Sequence, residues 1–136
     1  MLSLETLGSY SDAPGSQSYP PLLNLIYPDR GDFVAFVANP ASRSLVRDAI
    51  RAFQESGASV ASEGIAAPAF IEGVAWSDHW SFWQQGIPAV MVTDTAFLRD
   101  RAYHTPEDKP AHLDYARMAS VVEGLVEVVR KLATAS

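Results

Sequence analysis

The sequence contains no cysteine, which excludes disulfide staples, thiolate metal sites and a cysteine nucleophile together. Positive charge is scarce: ten Lys and Arg stand against sixteen Asp and Glu, for a net charge of −6. That balance argues against a nucleic-acid surface, which needs clustered cations to neutralise phosphates. It gives no attraction to an anionic membrane either. No apolar run approaches the roughly 20 residues of a membrane-spanning helix. Met1 is not followed by a basic segment and signal-like stretch, so the compartment stays unknown. No glycine-rich nucleotide loop and no internal repeat is visible.

What is present is an ordinary globular composition. With 48% hydrophobic and 19% charged residues, the 136-residue chain has the material to fold rather than stay disordered. It reads as a single domain over residues 1–136, able to bury roughly two-thirds of its unfolded surface.

Leu2, Leu4 and Leu7, separated by polar residues, predict a strand at the very start. Buried strands rarely sit bare at a terminus, which suggests the later part of something longer. Gly8–Pro21 is a long loop of the kind that is functional or disordered. A short apolar piece, Leu22–Tyr27, and a turn at Pro28–Asp32 follow. Phe33–Ala38 predicts a buried strand. Asn39 as cap and Pro40 at the first helical position start a helix. Its apolar face is Leu45, Val46, Ala49, Ile50 and Phe53, and Gly57 ends it. Ala58–Ala75 reads as loop with at most one short strand. Ser77 or Asp78 can cap a short helix through Gln85, closed by Gly86. Ile87–Thr93 predicts a second buried strand, and a polar loop runs from Asp94 to His112.

The last helix, capped by Asp114, carries Met118, Val121, Val122, Leu125, Val128, Val129 and Leu132 on one stripe over about five turns. Strands separated by helices predict an α/β fold with a mostly parallel sheet and helices on its faces.

In open α/β sheets, active groups collect at the carboxyl ends of strands. Glu5, Asp94 and the Tyr103–Asp108 loop fit that position. Glu5 is a carboxylate in an otherwise apolar strand, costly unless paired or metal-bound, or else solvated on its face. His104 sits between Tyr103 and Thr105-Pro106 in a stiffened turn. Such a turn can aim a nitrogen at a metal, although a surface histidine without a task is the competing reading. Asp78 and His79 could orient a partner or serve as ligand or base. The blander reading makes Ser77 or Asp78 a helix cap with His79 in the first turn. Trp76, Trp80, Phe82 and Trp83 form an aromatic cluster better suited to packing or a lid than to a substrate platform. Gly8-Ser9-Tyr10-Ser11-Asp12 lacks the second glycine of a nucleophile elbow, so a serine hydrolase is disfavoured. His112 is given no role.

Several segments, in this order, resemble the C-terminal half of zinc-dependent aminopeptidases with two co-catalytic zincs, relatives of glutamate carboxypeptidases and glutaminyl cyclases. They are Leu2–Gly8, Ser77-Asp78-His79 with Phe82-Trp83 and Gly86–Ala89, Tyr103–Asp108, and Leu113-Asp114-Tyr115 with Met118-Ala119. The resemblance covers nearly the whole chain. It implies an incomplete version of the zinc exopeptidase fold, α/β and three-layer, with a mixed, mainly parallel sheet flanked by helices. Glu5 would be a ligand to one zinc, His104 a ligand to the other, and Asp78 part of the shell around them. It also implies that Glu63–Val74 shapes the specificity pocket.

The family's other ligands and its general base correspond to positions before this chain starts. Glu63 and Glu72 are single carboxylates, and no adjacent acidic pair suits the combined task of base and ligand. Three protein ligands are needed for a catalytic zinc, so the expectation is a chain that does not stably hold zinc alone and is inactive in isolation. In the complete enzyme the substrate would be a peptide, cut at its free N-terminus. The alternative is a non-catalytic association module. Either way the expected partner is a second copy or a separate N-terminal half, reached through an open sheet edge.

Overall fold

The computed structural model describes residues 1–134. Four strands and three helices carry the fold: β1 (Leu2–Glu5), β2 (Phe33–Ala38), α1 (Arg43–Glu55), β3 (Ala61–Ala66), α2 (His79–Gln84), β4 (Val90–Thr93) and α3 (Tyr115–Thr134). The sheet order is β1-β4-β2-β3. β1 runs parallel to β4 and β2 parallel to β3, while β2 and β4 are antiparallel. The α/β class is as the pattern of elements implies, and the mixed, mainly parallel sheet is as the family resemblance implies.

The alternation of side chains divides the sheet into two faces. Val34, Phe36, Val90 and Val92 face α1 and α3, where they pack with Val46, Ala49, Phe53, Val121, Leu125 and Val128. α1 comes close enough to β3 that a Cβ on Gly64 would lie 2.1 Å from Ile50 Cδ1. On the opposite face Phe33, Ala35, Val37 and Met91 pack with Ala67 and Val74, and with Tyr19 and Ile71 from irregular segments. Trp83 of α2 reaches both clusters. The layers are therefore two helices, the sheet, and a cover of α2 with loops.

Local chemistry sets most of the boundaries. The Ser42 backbone N–H donates to Asn39 Oδ1 at 2.9 Å, the expected cap, and a single 3₁₀ turn at Pro40–Ser42 leads into α1. Asp114 Oδ1 accepts from the Arg117 N–H at 3.0 Å at the head of α3.

Other boundaries differ from the sequence pattern. β1 stops at Glu5 because Thr6 turns into the left-handed region at φ 45°. β4 starts only at Val90: Pro88 has no N–H to give a ladder, and Ile87 is exposed. The segment read as loop holds a full six-residue strand, β3, parallel to β2. Its Ala-Ser-Glu-Gly-Ile-Ala run is small because α1 lies against it. Val122 and Val129 of α3, placed by periodicity on the packed stripe, face solvent. At α2 neither Ser77 nor Asp78 caps with its side chain.

Candidate active site

The carboxyl ends of β1 and β4 lie side by side, with Glu5 in register with Thr93. The chain leaves both strands through strained backbone. Thr6 (φ 45°), Thr95 (φ 75°), Ala96 (φ 46°) and, further along the same loop, His104 (φ 60°) all occupy the left-handed region. Each costs a non-glycine residue about 1–3 kcal/mol, and such residues collect at functional sites.

Asp94, 2% exposed, holds this region together. Its Oδ1 accepts from Thr6 Oγ1 at 2.6 Å and from the Ala96 N–H at 3.0 Å. Its Oδ2 accepts from the Gly8 and Ser9 N–H groups at 2.9 and 2.8 Å. A buried carboxylate with four donors is satisfied as an anion. Its lone pairs are spent on three backbone N–H groups and the Thr6 hydroxyl, which marks Asp94 as a positioning group rather than a free ligand. The sequence signal was an aspartate directly after an apolar strand; its four partners could not be read from it.

Arg99 fastens the long loop that follows Gly8. Its Nε donates to Gln17 Oε1 at 2.8 Å, and its Nη1 donates to the carbonyls of Ser9 and Phe33 at 3.0 and 2.9 Å. Its guanidinium lies 4.7 Å from the Phe33 ring centroid. Burial lowers its pKa, opposed by the charge of Asp94. The loop that composition left as functional or disordered is thus tied to the sheet, and Ser18 N–H also donates to Leu98 O at 2.8 Å.

Glu5 is half-buried at the end of β1, and its Oε2 accepts from Ser77 Oγ at 3.2 Å. Ser77 Oγ is also 2.8 Å from Ser3 Oγ, so a serine pair orients the carboxylate. The sequence pointed to Ser77 only as a cap. His104 is exposed, with its ring stacked on Tyr103 at 3.9 Å between centroids. Tyr103 and Glu5 line one pocket, and the charge of Glu5 helps to raise the Tyr103 pKa, after burial. Glu5 and the Tyr103–His104 stack are therefore neighbours. Asp78 is exposed at the head of α2 and makes no side-chain cap.

His79, by contrast, is withdrawn from any site. It is fully buried, its Nε2 is 2.7 Å from the Val74 carbonyl, and its ring meets Trp83 edge-on at 4.5 Å. Nε2 donates there, and Nδ1 has no partner among the described residues. Burial lowers its pKa, against the raising effects of the Val74 bond and of Asp78 and Glu5.

The pocket beside Glu5 encloses about 110 Å³ over the sheet face of Ala35, Val37 and Met91. Trp76 and Phe97, with ring centroids 5.0 Å apart, form part of its wall; the other wall residues are largely apolar. Among the described residues no three His, Asp or Glu side chains converge tightly enough to hold a metal ion. A catalytic zinc takes three protein ligands and a water. Glu5 and His104 have the right donor chemistry for one ligand each, but the described residues of this chain do not fit a complete catalytic zinc site.

Asp94→Ala leaves the buried N–H groups of Gly8 and Ala96 without partners and frees Ser9 and Thr6, and should lower the unfolding free energy by about 3 kcal/mol or more, at about 1–3 kcal/mol per buried unsatisfied group. Urea unfolding would show a lower midpoint at constant slope, and an unchanged midpoint would contradict the assigned role.

His79 is neutral in the fold with a depressed pKa, so the unfolded chain takes up its proton first as pH falls. Its contribution is complete above about pH 6.5 and is lost progressively below it, with a slope of at most about 1.4 kcal/mol per pH unit. His79→Phe should remove that slope between about pH 5 and 7. Parallel stability profiles for the two proteins would exclude the assignment.

Comparison with known proteins bears on this geometry. The sequence is 43% identical over 130 residues to the uncharacterized protein YfbL of Escherichia coli (strain K12), a match covering 95% of this chain and 40% of that protein. The chain thus spans well under half the length of this relative. No solved structure matches it. The profile of peptidase family M28 matches residues 22–129, a span that includes β2 to β4 and the His104 loop but neither β1 with Glu5 nor the Gly8–Pro21 loop. The chain belongs to peptidase family M28, a family of metallopeptidases that are generally zinc-dependent.

Proposed function

We propose that this chain is the C-terminal portion of an exopeptidase catalytic domain that removes residues from the free N-terminus of a peptide. In the complete site Glu5 and His104 each give one ligand to a different zinc. Zinc would supply electrophilic activation of the scissile carbonyl and of water. Glu5 is steered by the Ser77–Ser3 pair, His104 is held by its stack on Tyr103, and Asp94 keeps both strand exits in place. Asp78 belongs to the outer shell, beside Ser77. The pocket over Ala35, Val37 and Met91 receives the side chain of the residue to be released. The observation that carries this reading is that Glu5 and Tyr103, on whose ring His104 stacks, line one apolar pocket reached from strained backbone.

Among the described residues there is no general base beside Glu5 and His104 and no second or third donor for either ion, so we expect no hydrolysis of leucine p-nitroanilide by the chain in zinc. Adding the segment that precedes the matched region in the Escherichia coli relative should restore turnover. In that mixture Glu5→Gln and His104→Ala should each cost more than about 100-fold, beyond the loss typical of outer-shell changes. Chelator-sensitive turnover by the chain alone, or full activity of both variants, would reject the reading.

A second reading, a module that works by association, is favoured by a separate observation. β1 is an edge strand, and Leu4 on its helix-side face is 58% exposed. Val122, Val126 and Val129 are also exposed along α3. Apolar surface beside an open edge invites pairing. Light scattering during chromatography at micromolar concentration should show a dimer or larger species. A sharp monomer peak would count against association.

A further inference from the structure

The pocket beside Glu5 has a charge pattern that defines what it can hold. Strand register sets Glu5, Thr93, Ala35 and Glu63 side by side across β1, β4, β2 and β3. All four line the pocket. Glu63 therefore lies three strand spacings from Glu5, about 14 Å along the sheet. Thr93 and Ala35 lie between them, and the next row of the same face, Met91, Val37 and Ile65, about 7 Å along the strands, makes an apolar floor.

Glu63 is half-buried and has no compensating charge. None of the ion pairs among the described residues uses it, and no lining residue is Lys, Arg or His. Tyr19 and Tyr27 flank it, stacked at 5.9 Å between centroids. Their hydroxyls donate elsewhere, to the carbonyls of Pro28 and Gly64, so the two phenols leave the carboxylate unbonded. Burial and the charge of Asp32 raise the Glu63 pKa, and Glu63 in turn helps to raise those of Tyr19 and Tyr27. A carboxylate in an apolar, aromatic setting is costly until a cation joins it, and ring faces add cation–π attraction.

We propose that the pocket binds a long apolar stem ending in a cation, with the head on Glu63 beside the Tyr19–Tyr27 stack. Resting on the exopeptidase reading, this makes the released residue one of the lysine or arginine type. The volume suits one side chain: a cavity of about 150 Å³ is known to take a benzene ring. The separation suits an extended one, because a short side chain anchored near Glu5 stops over Val37 and Met91. An apolar side chain would fill the floor but leave Glu63 without a partner.

The test needs neither metal nor turnover. The whole chain is titrated with n-butylguanidinium chloride and with n-butylurea, a neutral compound of the same shape, following backbone amide shifts by NMR. Expected is a preference for the cation of about 10-fold, the low end for a charge-assisted hydrogen bond, with the largest shifts at Glu63–Ile65. Glu63→Gln should bring the two affinities within about twofold of each other, while Glu72→Gln, changed at an exposed carboxylate on the pocket rim, keeps the preference.

Equal affinities in the unaltered chain would overturn the proposal and leave Glu63 as a charge that only blunts an edge strand. So would shifts centred elsewhere, or no binding of either compound; these outcomes do not depend on Glu63→Gln folding. If the reconstituted peptidase is active but prefers leucine to arginine amides, the pocket assignment fails while the exopeptidase reading stands. If the cation binds at Glu63 and reconstitution yields no activity, the reverse holds.

Discussion

Asp94 accepts hydrogen bonds from Thr6, Gly8, Ser9 and Ala96, and the carboxyl end of the sheet depends on that single carboxylate. Thr6 and Ala96 both have positive φ, a conformation that local propensity alone would abandon. Charge-assisted bonds inside a low-dielectric interior are strong enough to outweigh that strain. The result is a rigid junction between the exits of β1 and β4, two segments 88 residues apart at the Thr6–Asp94 bond. Glu5 stands immediately before this junction, and the His104 loop begins immediately after it.

The two faces of the sheet then divide the labour. The helix side is dry, with Phe36 and Phe53 meeting at 5.6 Å in an edge-on contact. Glycines at 64 and 124 let neighbouring elements approach closely. The other face is covered by α2 and irregular chain, which leaves space over Val37 and Met91. Loops close less completely than helices because their backbone needs hydrogen-bond partners of its own. Here Arg99 and Gln17 supply several of them. A pocket beside a strained, carboxylate-bearing rim is the consequence.

Elements with strong periodicity or end signals were legible before any coordinates. Phe33–Ala38, the Asn39-Pro40 helix start and the Asp114 cap all rest on interactions within a few residues. β3 was legible only as one short strand without bounds inside a loop, because its small residues answer to α1 packed against them and not to a strand pattern of their own. The solvent-facing Val122 and Val129 were misplaced for a related reason: a helix can carry a wider apolar stripe than its neighbours cover. At the candidate site the residue types of Glu5 and His104 drew attention through their positions after strands. The serine pair that orients Glu5 and the burial of His79 did not, since each depends on contacts across distant segments.

The sequence by itself determined the class of the fold, the family to which the chain belongs and the short motifs that carry donor atoms, because these are written in neighbouring residues. Only the tertiary structure decided which side chains share a surface. Strand register put Glu63 in line with Glu5, and a buried carboxylate chose its four partners. Those choices follow from pairings between strands and loops far apart in the chain, where no local pattern records which residue will meet which.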